Sequence, residues 1–548
     1  MCCGFVSCSY KQAAAFAFYA DNAPVLYGLS KNAAAGVLPF SGEAKLEYVF
    51  ETPPEIRGDL SFELDYTLNL SGPEKDVPGA LVLKLGDLSW ELPGNLSFLG
   101  IRDFPESFRY AVPVPEGKLD RISISFVPKD PGPAKAGQAP QQMQIRGMAL
   151  AGRWYGFSGS PGFPFSVSPF VFLRDSGLVI DPAEEFRKAG ELRIRTQGGS
   201  IKAEAGEGKG SVRIESSGKG GNFLVPEGFF SAGSFPVTVS AGSPLQEVRL
   251  AASGDRPFPE PIPADPGMIL AWPQEAWRNP GFEIFRWEGF DSILIFDMAD
   301  YAVQDRYLKR LAFFVEKKGF RGRLAGDEEI AALHGWNAHD YRAASLADFF
   351  EAARKNNFPL LREERELEAI LFQTGILRRE GETITSGEGA VISVSRQSDR
   401  SLRSRFMAHE GFHGLFFIDS DFREFSRRRW NSLPDAARRF IRSYFDFQAY
   451  DVTDTELLVN EFMAYVLQQP VSQAGRYFGE HLPGQMLAVS AWRRAALPET
   501  EELSAEGNSS WPEISAAFAI EAEAFSAYVN RRWGLAAGRV STVSVFRD

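Results

Sequence analysis

In the stretch DLSFELDYTLNL, Leu60, Phe62, Leu64, Tyr66, Leu68 and Leu70 alternate with Ser61, Glu63, Asp65, Thr67 and Asn69. A period of two places the first set on one face of a strand and the second on the other, the pattern of a half-buried β-strand. The alternation continues in GALVLKLGDLSWELP, DRISISFVPKD and QIRGMALAGRWYGF, with Gly, Pro and Asp turns between them. Residues 44–157 are therefore expected to form an antiparallel β-sandwich, of jelly-roll type. A linker-like break, SGSPGFPF at 158–165, precedes a second β module at 166–253. That module carries ELRIRTQ, SIKAEAG, GSVRIESS, FPVTVSAG and QEVRLAAS between glycine-rich turns. No repeat relates the two blocks beyond their shared strand content.

The segment GDRPFPEPIPADPG, 254–267, has prolines at 257, 259, 261, 263 and 266. Such density favours extended polyproline geometry and predicts a semi-rigid spacer. Beyond it the period changes. SILIFD reads as a buried strand, and YAVQDRYLKRLAFFVEKKGF has helical spacing that ends at Gly319. SLADFFEAARK, EERELEAILFQTGI, TELLVNEFMAYVLQQ and ISAAFAIEAEAFSAYVNRRW are further amphipathic helices, and GAVISVSRQ is a strand. An α+β domain over 268–548 fits this alternation.

Hydrophobic residues at 44% and charged residues at 24% describe a globular chain, and 548 residues exceed one ordinary core. The net charge of −12 argues against nucleic-acid binding, which needs a basic face. No apolar run approaches the roughly 18–20 residues that cross a bilayer. All three cysteines, Cys2, Cys3 and Cys8, fall in the first eight residues. The later domains therefore have no disulfide and no thiolate ligand. FVSC looks like the tail of a bacterial lipoprotein signal, with Cys8 as the lipid-bearing residue of a chain that starts upstream. The expectation is export to the cell envelope, the periplasm or the exterior. A cytoplasmic protein with stray N-terminal thiols is the alternative.

The stretch RFMAHEGFHGLFFID, 405–419, holds two of the five histidines. Leu402, Phe406, His409, His413 and Phe416 recur at spacings of four and three, so both histidines share the apolar face of one helix, with Ser398 or Asp399 as its N-cap. Imidazoles at i and i+4 can hold one tetrahedral Zn²⁺ at about 2.0–2.1 Å. Glu410, one residue round, can reach a water on the metal without ligating it, which suits a general base. Gly411 and Gly414 each cost the helix about 1 kcal/mol relative to alanine, so something must approach closely there. An ordinary buried helix is the competing explanation. It would need partners for four ring nitrogens of a neutral histidine pair facing inward.

The motif resembles that of the zincin metallopeptidases, H-E-x-x-H. The resemblance implies a strand along the substrate cleft before the motif helix, a place GAVISVSRQ fills. It also implies a third ligand, in the gluzincin branch a glutamate on a later helix. Glu461, preceded by Asn460, has that position and shares a face with Leu457, Leu458, Ala464 and Tyr465. A buried carboxylate there requires a cation. Asp419 matches one letter of the metzincin pattern but lacks the turn-making glycine, since Phe416 stands in its place. Glu456 is another rival, and Asp451 and Asp454 are better suited to orienting a ligand histidine.

The other singled-out residues have plainer explanations beside functional ones. His334, Trp336, His339 and Tyr341 in HGWNAHDY form a substrate subsite or second metal site, or else a rigid loop. Tyr450, Tyr465 and His481 are candidates to stabilise an oxyanion. Arg427, Arg428, Arg429, Arg438 and Arg439 read as solvated helix faces. The expected protein is a zinc peptidase in which His409, His413 and Glu461 hold Zn²⁺ and Glu410 acts on protein or peptide substrates. The alternative is a surface protein whose β modules bind carbohydrate.

Overall fold

A computed structural model describes residues 37–547, apart from 489–510 and short stretches before residue 256, the longest being 130–140. Cys2, Cys3 and Cys8, and with them the lipid anchor read at Cys8, lie outside the described residues. The chain divides into two compact units, one of residues 1–254 with 545–548, the other of residues 255–544. The N-terminal half is β-rich, and the C-terminal part is mostly helical around one five-stranded sheet, with a two-stranded one (Leu377–Glu380 and Thr383–Ser386) beside it in sequence.

In the first unit a nine-stranded sheet runs in the order Val37–Pro39, Gln142–Gly152, Leu60–Asn69, Phe108–Pro113, Phe165–Val167, Trp154–Ser158, Leu245–Ala251, Glu191–Thr196 and Asn222–Val225. Strands from both expected modules are thus interleaved. Trp154–Ser158 pairs with Leu245–Ala251, and Phe165–Val167 runs parallel to Phe108–Pro113. The two β blocks are therefore one unit, and the break at 158–165 leads into a strand of the shared sheet. Alternation identifies a strand and its faces but not its partner, and only pairing across the blocks decides domain count. The unit also holds a four-stranded sheet (Ala44–Val49, Arg121–Pro128, Gly79–Leu85, Leu88–Leu92), a six-stranded one and a two-stranded one (Glu55–Ile56 with Gly117–Lys118).

Leu60–Asn69 shows what a central position does to a half-buried pattern. Phe62, Leu64 and Tyr66 are fully buried as the period requires, but Ser61 and Glu63 on the polar face are buried too. Glu63 accepts from the Trp154 indole at 3.0 Å and, with Asp65, holds Arg109. Buried polar side chains are tolerable only with such partners.

The second unit is built on a five-stranded sheet ordered Ile262–Ala264, Phe282–Trp287, Ile293–Met298, Ala390–Ser395, His339–Arg342. The proline-rich segment is not a spacer, because Ile262–Ala264 is the sheet's first strand, parallel to Phe282–Trp287. Pro263 is tolerated there because an edge strand can lose a ladder N–H on its outer side. Asp265 then caps the helix Pro266–Ala271 and binds the Thr542 amide and hydroxyl at 3.0 and 2.9 Å. The unit accordingly begins at 255 rather than 268 and ends at Ser544. Residues 545–548 belong to the first unit, whose six-stranded sheet includes the terminal strand Val543–Arg547.

The motif helix Arg400–Ile418 follows the strand Ala390–Ser395 directly, with the Asp399 carboxylate accepting from Leu402 N. Its glycines mark close packing against apolar neighbours. A Cβ on Gly414 would meet Ile293 at 3.1 Å, and one on Gly411 would meet Val540 at 3.0 Å. Arg403 on the same helix binds Asp297 of the strand Ile293–Met298 at 2.7 Å, a fully buried carboxylate that Arg396 also reaches. Among the described residues, no helix is long and apolar enough to cross a membrane.

Candidate metal centre

Helical spacing puts His409 and His413 one turn apart, and the Nε2 atoms of the two rings stand 3.1 Å from each other. The helix Thr455–Leu467 supplies Glu461, whose two oxygens lie 3.6 Å from His409 Nε2 and 3.7 Å from His413 Nε2. Ligands bound tetrahedrally at ~2.0–2.1 Å would be about 3.4 Å apart, so these separations suit a single ion. All three side chains are buried, and the group could hold a metal ion.

The tautomers follow from the surroundings. Gln468 Nε2 donates to the Tyr477 hydroxyl at 3.0 Å, which turns Gln468 Oε1 toward His409 Nδ1 at 3.1 Å. His409 therefore carries its proton on Nδ1 and presents a lone pair at Nε2. Burial pushes His409 down to about 4, so the ring is neutral. His413 Nδ1 has no hydrogen-bond partner, and Asp340 Oδ2 is 3.8 Å away. Burial raises Glu461 to about 7, against the pull of His413 and the Tyr450 hydroxyl. One Glu461 oxygen is buried without a hydrogen-bond partner. The two Nε2 atoms are within hydrogen-bond distance of each other, but the carboxylate oxygen facing them out of water has no donor of its own and is costly unless a cation sits among the three groups. The donor set fits a metal.

Glu410 is buried beside this group, and one of its oxygens has no hydrogen-bond partner. Burial raises its carboxyl well above the usual range, and the neighbouring Asp340 and Glu461 carboxylates add to the effect. Tyr465 packs its ring edge-on to His409 at 5.0 Å, and burial raises its phenol. Tyr450 is stacked on Trp336 at 5.3 Å. His481 is exposed, stacked on Tyr477.

The rivals for the third position are employed elsewhere. Asp419 caps the helix Ser420–Ser432 and pairs with Arg532. Glu456 pairs with Arg427 at 2.9 Å. Asp454 caps Thr455–Leu467 and joins Asp451 around Arg321, so neither of these two orients a ligand histidine. That role belongs to Gln468 for His409, while Asp340 lies near His413 without bonding it; the sequence reading missed both. Asp340 lies in the HGWNAHDY stretch, which forms the edge strand His339–Arg342 with Tyr341 and His339 buried. The strand GAVISVSRQ, expected to border the cleft, is instead interior, paired on both sides and buried throughout.

No protein-family model matches the chain, and no curated protein matches it. Among solved structures, a Paenibacillus xanthan lyase is similar over 43% of this chain and 26% of that one, at 11% identity and a TM-score of 0.16. The chain thus spans about a quarter of that protein, a likeness too slight to bear on fold or function. In the β-rich unit, the exposed large apolar side chains among the described residues are Val127, Leu173 and Phe546, and no exposed tryptophan accompanies them.

Proposed function

We propose that residues 255–544 form a zinc-dependent peptidase of the zincin type, with His409, His413 and Glu461 as ligands. The observation that carries this reading is the convergence of three buried donor groups at 3.1, 3.6 and 3.7 Å from one another, two of them on one helix turn. Two imidazoles and one carboxylate with a position left for water are the ligand set of catalytic zinc sites. Zn²⁺ held there would act as a Lewis acid and make water nucleophilic near neutral pH.

The remaining chemistry belongs to the chain. Glu410 takes the proton of the attacking water on its carboxylate and returns it to the leaving amine. Its raised affinity for protons suits a group that must hold one between two steps. Gln468 fixes the ring of His409, and Asp340 stands beside His413 Nδ1. Tyr450 and Tyr465 border Glu461 and His409 from inside the fold, where they position ligands better than they meet substrate. The edge strand His339–Arg342 is paired on one side only and can add an extended peptide through main-chain hydrogen bonds. Export to the cell envelope belongs to the same proposal.

The test is elemental analysis of protein purified without chelators, with hydrolysis of an unfolded protein substrate measured alongside. About one zinc per chain and hydrolysis that Glu410→Gln abolishes without loss of metal support the reading. Absence of stoichiometric metal sinks it.

A further inference from the structure

Glu461 also lines a cavity of about 850 Å³ within the same unit, and the wall includes Arg321, Arg342, Arg423 and Arg427. Arg321 pairs with Asp451 and Asp454, and Arg427 with Glu424 and Glu456. Arg342 is exposed and bonds the Ser345 hydroxyl through Nε. Arg423 is half-buried and has no carboxylate within ion-pair distance among the described residues. It stands on the helix Ser420–Ser432, and its Nη1 donates to the Phe416 and Phe417 carbonyls at 2.8 Å each. Those carbonyls belong to the last turn of the motif helix, which lacks intrahelical donors. Phe417 lies one turn beyond His413 and stacks on that imidazole, with ring centroids 6.4 Å apart. The guanidinium is thus tethered about one helical turn, ~5.4 Å, beyond a metal ligand. An extended peptide rises about 3.3 Å per residue, so that turn spans roughly a residue or two of substrate.

Capping the motif helix occupies only Nη1. Nε and Nη2 of Arg423 have no partner among the described residues, and neither atom is sealed from solvent. They form the edge of the guanidinium that binds carboxylates elsewhere in this chain. Arg109 with Asp65, Arg354 with Glu351 and Arg429 with Glu521 each use Nε and Nη2 together, at 2.6–2.9 Å. That edge matches the two oxygens of a carboxylate, and such bidentate pairs are among the strong hydrogen bonds of proteins. Arg423 is therefore held rigid through one nitrogen while its carboxylate-binding edge stays unpaired beside the metal centre.

We propose that Arg423 binds a carboxylate of the substrate through Nε and Nη2, so that an anionic group near the scissile bond sets the specificity of the site. The proposal rests on the peptidase reading for the substrate's identity, but its binding test does not depend on turnover. The carboxylate comes either from a peptide's C-terminus or from an aspartate or glutamate side chain, and the chemistry at Arg423 is the same for both.

The test uses the full chain carrying Glu410→Gln, supplied with zinc, and calorimetric titration of three N-acetylated trialanine probes. One has a free C-terminus, one is amidated, and one is amidated with the central residue changed to glutamate. At least one carboxylate-bearing probe should bind about tenfold or more tighter than the neutral amide, as a bidentate charged pair allows. Preference for the free C-terminus assigns the α-carboxylate, and preference for the glutamate peptide assigns the side chain. Arg423→Gln should collapse that ratio toward one, while metal content by elemental analysis stays as in the parent. Arg423→Lys keeps a donor for the two carbonyls but has no planar edge, so it should lower the ratio several-fold and decides the matter if Arg423→Gln does not fold. Equal binding of charged and neutral probes, or no binding of any, overturns the subsite. A preference that no folded Arg423 variant diminishes also overturns it, because the carboxylate then sits on the metal or on Arg342. If the charged probes bind selectively through Arg423 while the wild type cleaves nothing, the subsite stands and the peptidase reading falls.

Discussion

Gln468 Oε1 accepts a hydrogen bond from His409 Nδ1 at 3.1 Å, and the same amide donates to the Tyr477 hydroxyl. The hydroxyl fixes the amide, the amide fixes the imidazole tautomer, and the tautomer aims a lone pair at Glu461. Outer partners of this kind typically change metal affinity ~10–100-fold. Gln468→Leu should therefore weaken zinc within that range, read by competition with a chromogenic chelator, while secondary structure by circular dichroism is kept. Unchanged affinity would mean that the ring needs no such support.

Glu461 and Asp419 separate two zinc-site assignments. Glu461 is 3.6–3.7 Å from both histidine Nε2 atoms, whereas Asp419 caps a helix and pairs with Arg532. Glu461→Ala should lower zinc affinity more than 100-fold, beyond the range expected of outer partners. Asp419→Ala should leave the metal in place and cost about 0.5–2 kcal/mol of stability through its lost cap. Zinc content and thermal unfolding of the two variants read both halves, and zinc retained by Glu461→Ala would refute the assignment.

The histidine pair was legible because helical spacing is local: residues three and four apart share a face whatever the fold around them, whereas Glu461 was placed by the resemblance to gluzincins. Strand content was legible because its period is local too. Asp340 and Gln468 were not: Asp340 comes from a separate edge strand, and Gln468, at the end of the helix that carries Glu461, has no spacing that links it to His409. The proline run misled in another way. Its composition excludes a central strand but is compatible with an edge, and only the neighbouring Phe282–Trp287 decides which. Whether two β blocks are one unit depends on Trp154–Ser158 finding Leu245–Ala251, a pairing across about ninety residues that no local pattern records.

Acid should weaken the fold through Glu351, which accepts from Arg354 and from the Ile384 amide of the strand Thr383–Ser386. Arg354 first, and the Ile384 amide next, hold its carboxyl down to about 2. Because the folded pKa lies below the unfolded value of ~4.3, the stabilisation is complete above that value and is lost as pH falls toward 2. Glu351→Gln should be less stable than wild type at pH 6, with the gap closing between about pH 4 and 2. Urea unfolding across that range checks the sign, and a gap that widens in acid would contradict it.

Asp265 joins the start of the second unit to its end, and that connection defines the smallest fragment able to fold. Its carboxylate accepts from Gly267 N at 2.7 Å, Thr542 N at 3.0 Å and the Thr542 hydroxyl at 2.9 Å, with 4% of the residue exposed. Burial raises its carboxyl, and these hydrogen bonds oppose the rise. Removing the carboxylate leaves two amides and a hydroxyl without an acceptor, so Asp265→Ala should cost about 1–3 kcal/mol. A fragment spanning 255–544 keeps both ends of this link and the edge strand Ile262–Ala264. One beginning at 268 loses the strand, the cap and the partner of Thr542 together. The longer fragment should therefore unfold cooperatively and bind about one zinc. The shorter should melt many degrees lower or not fold, because each kcal/mol lowers the midpoint by roughly 2–4 °C at this size. Equal melting temperatures for the two fragments would return 254–267 to the status of a spacer.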